Sequence, residues 1–132
     1  MDNNLISNNL WFCIAGNFSD LSNFSAEEGE TNGKPKLVLD FLMGYNAVNI
    51  VITQTPNPMS GAEDANIAVW VTVSDRHTSK MSNAIAYSGI PNAGKNFLEV
   101  DQAYMSEVIN FSKLVVSLIE NAKKATDIKG NR

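Results

Sequence analysis

The sequence predicts an α+β fold in which an antiparallel β-meander of four to five strands packs against one long C-terminal helix. Three patterns predict it: two alternating apolar runs around a short turn, a third run that is apolar on both faces, and a helical apolar pattern near the C-terminus. The chain has 132 residues and is 44% hydrophobic, which is typical of one globular domain. We therefore expect residues 1–132 to share a single core.

Two neighbouring segments with alternating side chains predict a β-hairpin. Every second residue is apolar in residues 36–43 and again in residues 47–54. Gly44-Tyr45-Asn46, between them, is typical of a turn. We expect the two segments to pair and to bury one common face, formed by Leu37, Leu39, Phe41, Val48, Ile50 and Ile52.

Further strands are predicted from three apolar runs. Residues 66–74 are apolar on both faces, which favours an interior strand. Residues 83–88 favour another strand, with a short helix ended by Gly89 as the alternative. The compact run NLWFCIA, residues 9–15, predicts a buried strand at the start of the fold.

The segments between these runs are more polar. Residues 17–35 predict a short helix with Leu21 and Phe24 on one face, followed by an exposed acidic loop. Residues 55–65 contain two prolines and predict a second loop. The resulting order of elements resembles that of helix-grip lipid-binding domains and of small secretion chaperones. No motif supports either resemblance, so the sequence assigns no family.

The C-terminal helix is predicted to begin after Asp101, a good N-cap, and to continue to about residue 125. At about 100° per residue its polar side chains occupy an arc of roughly 100°, and its apolar side chains fill roughly 220°. A helix that packs on one surface needs an apolar stripe only somewhat wider than about 100°. The excess predicts that something besides the sheet covers this helix.

A homodimer through this helix is the favoured interpretation, because most soluble oligomers are symmetric. The wheel then predicts partner contacts on one side, at Tyr104, Phe111, Leu114, Leu118 and Ala122. It predicts sheet contacts on the other side, at Met105, Ile109, Val116 and Ile119. Two alternatives remain open: residues 17–35 wrap over the helix, or a different protein covers it.

Sequence motifs for catalysis or cofactors are weak. Gly89 to Lys95 has the spacing of a phosphate-binding loop, but Asn96 replaces the Ser or Thr that binds magnesium. Asp75 and His77, the only histidine, lie on one side of an extended segment and leave a minor hydrolase as a second alternative. Cys13 is the only cysteine, so we predict no zinc site and no cofactor.

Charge and hydropathy limit the partners and the location. The formal net charge is −4, and clustered Lys and Arg residues occur only near the C-terminus, as at the end of a solvated helix. We therefore predict no nucleic-acid binding. No leader-like N-terminus and no apolar run of about 18 residues are present, so we predict no membrane association and a cytoplasmic location.

The combined features favour a non-enzymatic binding protein. We expect a dimeric accessory, inhibitor, immunity or chaperone-like module that acts by protein–protein contact. Trp70 is the best single residue for contact with a partner or ligand, because it opposes the β-branched face of its strand. The alternative is a helix-grip-like domain that binds a small molecule in an apolar pocket between sheet and helix, lined by Trp70, Tyr87 and Phe41.

Overall fold

A computed structural model describes residues 5–55, 65–90 and 96–130. A helix precedes the sheet, two single-turn 3₁₀ helices follow it, and a long helix ends the described chain. The elements are α1 (Leu5–Asn17), β1 (Leu21–Thr31), β2 (Lys34–Met43), β3 (Asn46–Thr55), β4 (Ala65–Asp75), β5 (Met81–Ile90), the 3₁₀ turns Phe97–Glu99 and Gln102–Tyr104, and α2 (Met105–Gly130). Within these residues, neither helix is long and apolar enough to cross a membrane.

The five strands form one antiparallel sheet in the order β1-β2-β3-β4-β5, which confirms the predicted meander and fold class. The predicted hairpin is confirmed in register: Leu39 pairs with Ile50, and Phe41 pairs with Val48. Residues 83–88 lie in β5, so the strand rather than the short helix is correct. The turn between β2 and β3 places Gly44 at a positive φ of 61°, which glycine adopts without strain.

One face of the sheet packs on the helices and forms the core. The inward-facing side chains of β2, β3 and β4 are buried almost completely. Asp101 caps the 3₁₀ turn before α2 by accepting a hydrogen bond from the Ala103 N–H. Thr126 Oγ1 donates to the Val73 carbonyl at 3.1 Å and ties α2 to β4. This arrangement leaves the second face of the sheet as the surface on which a site can form.

The N-terminal segment is a helix, so the strand predicted for residues 9–15 is wrong. Ile6, Leu10 and Ile14 are each 0% exposed, and their spacing of four places them on one helical face. Phe12, in the middle of the apolar run, is exposed. The run is continuous in sequence, but as a helix it buries one face and leaves residues such as Phe12 and Ala15 in solvent. α1 packs alongside α2.

Residues 21–31 form strand β1, so the predicted short helix and acidic loop are also wrong. The strand carries a bulge between Ser22 and Ser25. Phe24 and Ala26 are half-buried toward the core, and the Phe24 ring lies 3.8 Å from the Trp11 ring, centroid to centroid. The acidic residues of the predicted loop lie exposed along this edge strand.

Candidate functional site: the open face of the sheet

The outer face of the sheet is covered by no described element and carries large apolar side chains. Trp70 is 49% exposed, Ile85 is 45% exposed and Tyr87 is 75% exposed. They lie on the outer face because their strand neighbours, such as Val69 and Val71, are fully buried inward. The prediction that Trp70 lies on the less buried side of its strand is confirmed.

The strand register aligns these side chains into a continuous row. Reading across the sheet, paired residues on the outer face are Glu27, Val38, Val51, Trp70 and Ile85. Four of the five are apolar, and directly paired side chains on one face are in contact range. The row is therefore an apolar band that crosses four strands and ends at an acidic residue on β1.

The flanking row on one side of the apolar band is polar and internally bonded. Asn49 Nδ2 donates to Asp40 Oδ1 at 2.8 Å, and Thr72 Oγ1 donates to Asn83 Oδ1 at 2.9 Å. These bonds hold the outward side chains of β2 to β5 in fixed positions. The band thus has a polar rim, an arrangement that protein interfaces commonly show.

Charge is absent from the outward positions of β3, β4 and β5. We call this surface the neutral face; it comprises Ala47, Asn49, Val51, Thr53, Asn66, Ala68, Trp70, Thr72, Ser74, Met81, Asn83, Ile85, Tyr87 and Gly89. On the outer face of β1 and β2, by contrast, Glu27, Lys36 and Asp40 are charged. A solvated sheet face normally carries charges, and the outward positions of these three adjacent strands differ from that pattern.

The predicted contact residues of the C-terminal helix lie on the opposite side of the sheet from Trp70. Phe111 is 3% exposed and Leu118 is 7% exposed, while Tyr104 and Leu114 are half-buried against the core. α2 packs against α1, β4 and β5 of the same chain. The excess apolar arc is therefore largely buried within one chain, with α1 (residues 5–17) rather than the predicted residues 17–35 as the additional packing element.

Burial follows the predicted division of the helix into sheet-facing and partner-facing sides only in part. Val116 and Ile119, assigned to the sheet, are buried, but Met105 and Ile109 are only half-buried, and Phe111 and Ala122, assigned to a partner, are buried. The wheel could not tell which edge touches the sheet. Dimerisation through this helix is therefore supported only by the flank of α2 that the rest of the chain leaves exposed.

The ligand pocket predicted between the sheet and the helix does not form with its three predicted lining residues. Phe41 points into the core at 2% exposure, whereas Trp70 and Tyr87 point outward, so the three side chains cannot line one pocket. The described surface clefts lie elsewhere. One, of about 330 Å³, is open to solvent and is lined by Asn66 and Tyr87 of the neutral face together with Ile67 and Ser88.

Asp75 and His77 are not arranged as an acid–base pair. Asp75 Oδ1 accepts hydrogen bonds from the backbone N–H groups of His77, at 2.8 Å, and Thr78, at 3.2 Å. The imidazole instead lies against the Tyr45 ring, with centroids 4.2 Å apart. The carboxylate thus stabilises the turn between β4 and β5, a common use of Asp. These contacts give the hydrolase alternative no support.

No metal or phosphate site emerges from the described residues. In residues 5–55, 65–90 and 96–130, no cluster of three or more His, Cys, Asp or Glu side chains is placed to hold a metal ion. The phosphate-loop-like pattern from Gly89 to Lys95 falls largely on residues 91–95, which lie outside the described residues.

A scan against protein-family models and searches of curated proteins and of solved structures find no match to this chain. Function is therefore argued from the site itself. Sequence reasoning identified Trp70 and grouped Tyr87 with it, but it placed both in a pocket with the buried Phe41 and missed Ile85. The sequence does contain a signal for the neutral face: residues 65–74 and 81–90 contain no charged residue but include one Trp, one Tyr and several apolar residues.

Proposed function

We propose that this chain is a non-enzymatic protein-binding module that docks a partner protein on the neutral face. It is of the accessory, inhibitor, immunity or chaperone-like type and acts by occupying the partner's surface. The observation that supports this proposal is the apolar band through Val51, Trp70 and Ile85, exposed on a charge-free face.

The composition of the neutral face suits a protein partner. The centres of protein interfaces are poor in charged residues and rich in aromatic residues, and Trp and Tyr are frequent binding hot spots. The polar neighbours of Trp70, Thr72 and Asn83, are hydrogen-bonded to each other. These neighbours therefore lose little side-chain entropy when a partner covers Trp70. The described cleft beside Tyr87 is open to solvent rather than enclosed, which suits another protein surface better than a small molecule.

The size of the outer face is also adequate. Four strands spaced about 4.8 Å apart, each about ten residues long at about 3.3 Å per residue, present roughly 600 Å² of sheet. A standard interface buries roughly 800 Å² of accessible surface on each partner, and this figure includes the surface of protruding side chains. The neutral face with its rim is therefore near the size that one stable protein contact needs.

Catalysis at this face has little chemistry to draw on. Among the outward residues of β3, β4 and β5, only Tyr87 has a side chain that titrates. Enzyme sites need several convergent titratable or nucleophilic groups. A face made of amide, hydroxyl, aromatic and aliphatic groups is consistent with binding a partner without catalysis.

Trp70→Lys should abolish partner capture, because it places a charge at the centre of the apolar band. Affinity capture from cells of the native host, followed by quantitative mass spectrometry, measures the effect. We expect at least one protein enriched by the wild-type chain to fall at least tenfold with Trp70→Lys, as for a hot-spot tryptophan. Ser25→Lys adds the same charge at an exposed outward position on β1 and is the matched control.

Two results would contradict the proposed function. One is a set of captured proteins that does not change between the wild type and Trp70→Lys. The other is an equal loss with Ser25→Lys, since that would indicate a general effect of charge on the surface rather than a site at Trp70.

A further inference from the structure

The two edges of the sheet differ sharply in how they are protected. Edge strands present unpaired backbone groups, and proteins usually shield them with charges, bulges or proline. β1 has a bulge and the exposed residues Glu27, Glu28 and Glu30. β5, Met81–Ile90, has no charge and no proline, and its register to β4 is regular throughout. Among the described residues, β4 is the only strand that pairs with β5.

The hydrogen-bond pattern shows which backbone groups of β5 face outward along this edge. The Asp75 N–H donates to the Lys80 carbonyl at 2.8 Å, so residues 75 and 80 form a hydrogen-bonded pair. Antiparallel pairs alternate between bonded and non-bonded types. The pairs Thr72–Asn83, Trp70–Ile85 and Ala68–Tyr87 are therefore non-bonded. Consequently the N–H and C=O groups of Asn83, Ile85 and Tyr87 point away from β4, toward the free edge.

We propose that a second copy of this chain pairs with the β5 edge, antiparallel and about a two-fold axis. The two five-stranded sheets would then form one continuous sheet of ten strands. With each Ile85 facing its symmetry mate, residues 83–87 of the two copies overlap in the bonded register and form about six backbone hydrogen bonds. The inference concerns the sheet edge and does not depend on the partner proposed for the neutral face.

A second copy is the occupant that the chemistry of the edge favours. An antiparallel strand is its own complement about a two-fold axis, because every contact occurs twice. The chain has a net charge of −4, and two copies repel each other least where their contact surface is uncharged. β5 is such a surface. Pairing also places the apolar bands of both copies, each ending at Ile85, next to one another.

The position of α2 allows this assembly. α2 packs beneath both β4 and β5. Two paired β5 strands, about 4.8 Å apart, would therefore bring the α2 helices of the two copies side by side beneath the joined sheet.

The flank of α2 on this side carries an apolar residue that the core does not fully bury. Lys123 lines a cleft with Asn17 and Asp20, so its side of α2 faces the end of α1. Leu114 precedes Lys123 by nine residues and lies about 180° around the helix. It therefore faces away from α1, toward the β5 edge, and it is half-buried. The second α2 would cover Leu114, which accounts for one of the helix contacts predicted from sequence.

Tyr87→Pro tests this edge with Tyr87→Ala as the matched control. Both variants lose the same exposed side chain, but only proline also removes the outward N–H, and edge positions tolerate proline. Analytical ultracentrifugation of the full chain should show a dimer for the wild type and for Tyr87→Ala. We expect a dissociation constant at least tenfold higher for Tyr87→Pro than for Tyr87→Ala, with unchanged far-ultraviolet circular dichroism.

Hydrogen exchange of the wild type provides a measurement that no variant can compromise by misfolding. We expect the amides of Asn83, Ile85 and Tyr87 to exchange more slowly at high than at low protein concentration. A wild-type monomer at about 100 μM, a dimer whose β5 amides show no such protection, or equal dimerisation of the Pro and Ala variants would each overturn the inference.

The same measurements separate this inference from the proposed function. A monomeric wild type that still captures a partner in a Trp70-dependent manner overturns the edge pairing alone. If the chain forms a dimer with protected β5 amides but captures the same proteins after Trp70→Lys, only the partner site is overturned. A dimer broken by Trp70→Lys but not by Tyr87→Pro would place self-association on the neutral face and so overturn the pairing at β5.

Discussion

The double variant Phe111→Glu, Leu118→Glu is expected to be unfolded, not a folded monomer. Both side chains are buried in the hydrophobic core, at 3% and 7% exposure. Each glutamate would place an unpaired charge among apolar groups, and such changes cost several kcal/mol apiece. Total stabilities of about 5–15 kcal/mol cannot absorb two of them. Circular dichroism with a thermal melt measures the loss of the native state.

The control for this variant keeps the added charge but moves it to solvent. Asn110 and Asn121 are exposed on α2, so Asn110→Glu combined with Asn121→Glu should leave a cooperative melt. A folded Phe111→Glu, Leu118→Glu protein with native circular dichroism would show that these side chains are accessible. That result would restore dimerisation through the centre of α2 as an explanation of its apolar arc.

Leu39→Asp should destabilise the fold by about 4 kcal/mol or more. Leu39 is 0% exposed on the inner face of β2 and pairs with Ile50, in the middle of the core. Burying a carboxylate without a partner is strongly unfavourable, and the removed leucine also leaves a cavity. The free energy of unfolding, obtained from urea titration, measures the effect.

Val38→Asp is the matched control for Leu39→Asp, since it makes the same change one residue earlier. Val38 points to the outer face and is half-buried, so we expect a much smaller loss of stability. Equal losses for the two variants would mean that the inner and outer faces of β2 have been assigned incorrectly. A Leu39→Asp protein as stable as the wild type would remove Leu39 from the core.

The regular strands were predictable because their burial repeats every second residue. β2 and β3 bury one face and expose the other, so the alternation of Leu37, Leu39 and Phe41 is visible in the sequence itself. β4 was predictable for a related reason, since its run of β-branched residues fills the inner face. In these strands, local pattern and tertiary environment agree.

α1 and β1 were not predictable in the same way. In α1 the exposed Phe12 and half-buried Trp11 are apolar too, so the helical spacing of Ile6, Leu10 and Ile14 is hidden. In β1 the bulge shifts the alternation, and a solvated edge removes most apolar residues from the strand. Both errors arise because a single sequence does not show which apolar groups are buried.

The neutral face was only partly predictable. The exposure of Trp70 followed from the composition of its own strand. Its row with Val51 and Ile85 depends on the register of three strands, which no local pattern specifies. The cover of α2 by α1 depends on a contact between the two ends of the described chain. Long-range arrangements of this kind determine the site, whereas the local pattern determined only its elements.

The packing of α1 on α2 also bears on when the protein can fold during its synthesis. The apolar faces of α1 and of the sheet are synthesised before residues 105–130, which cover both. Contacts this far apart in the chain form late and slowly. Until then the nascent chain exposes its inner sheet face and is open to chaperones or aggregation. We expect released chains truncated after residue 100 to be cleaved rapidly by protease, and full-length chains to resist it. Equal resistance of the two would show that the sheet and α1 fold without α2.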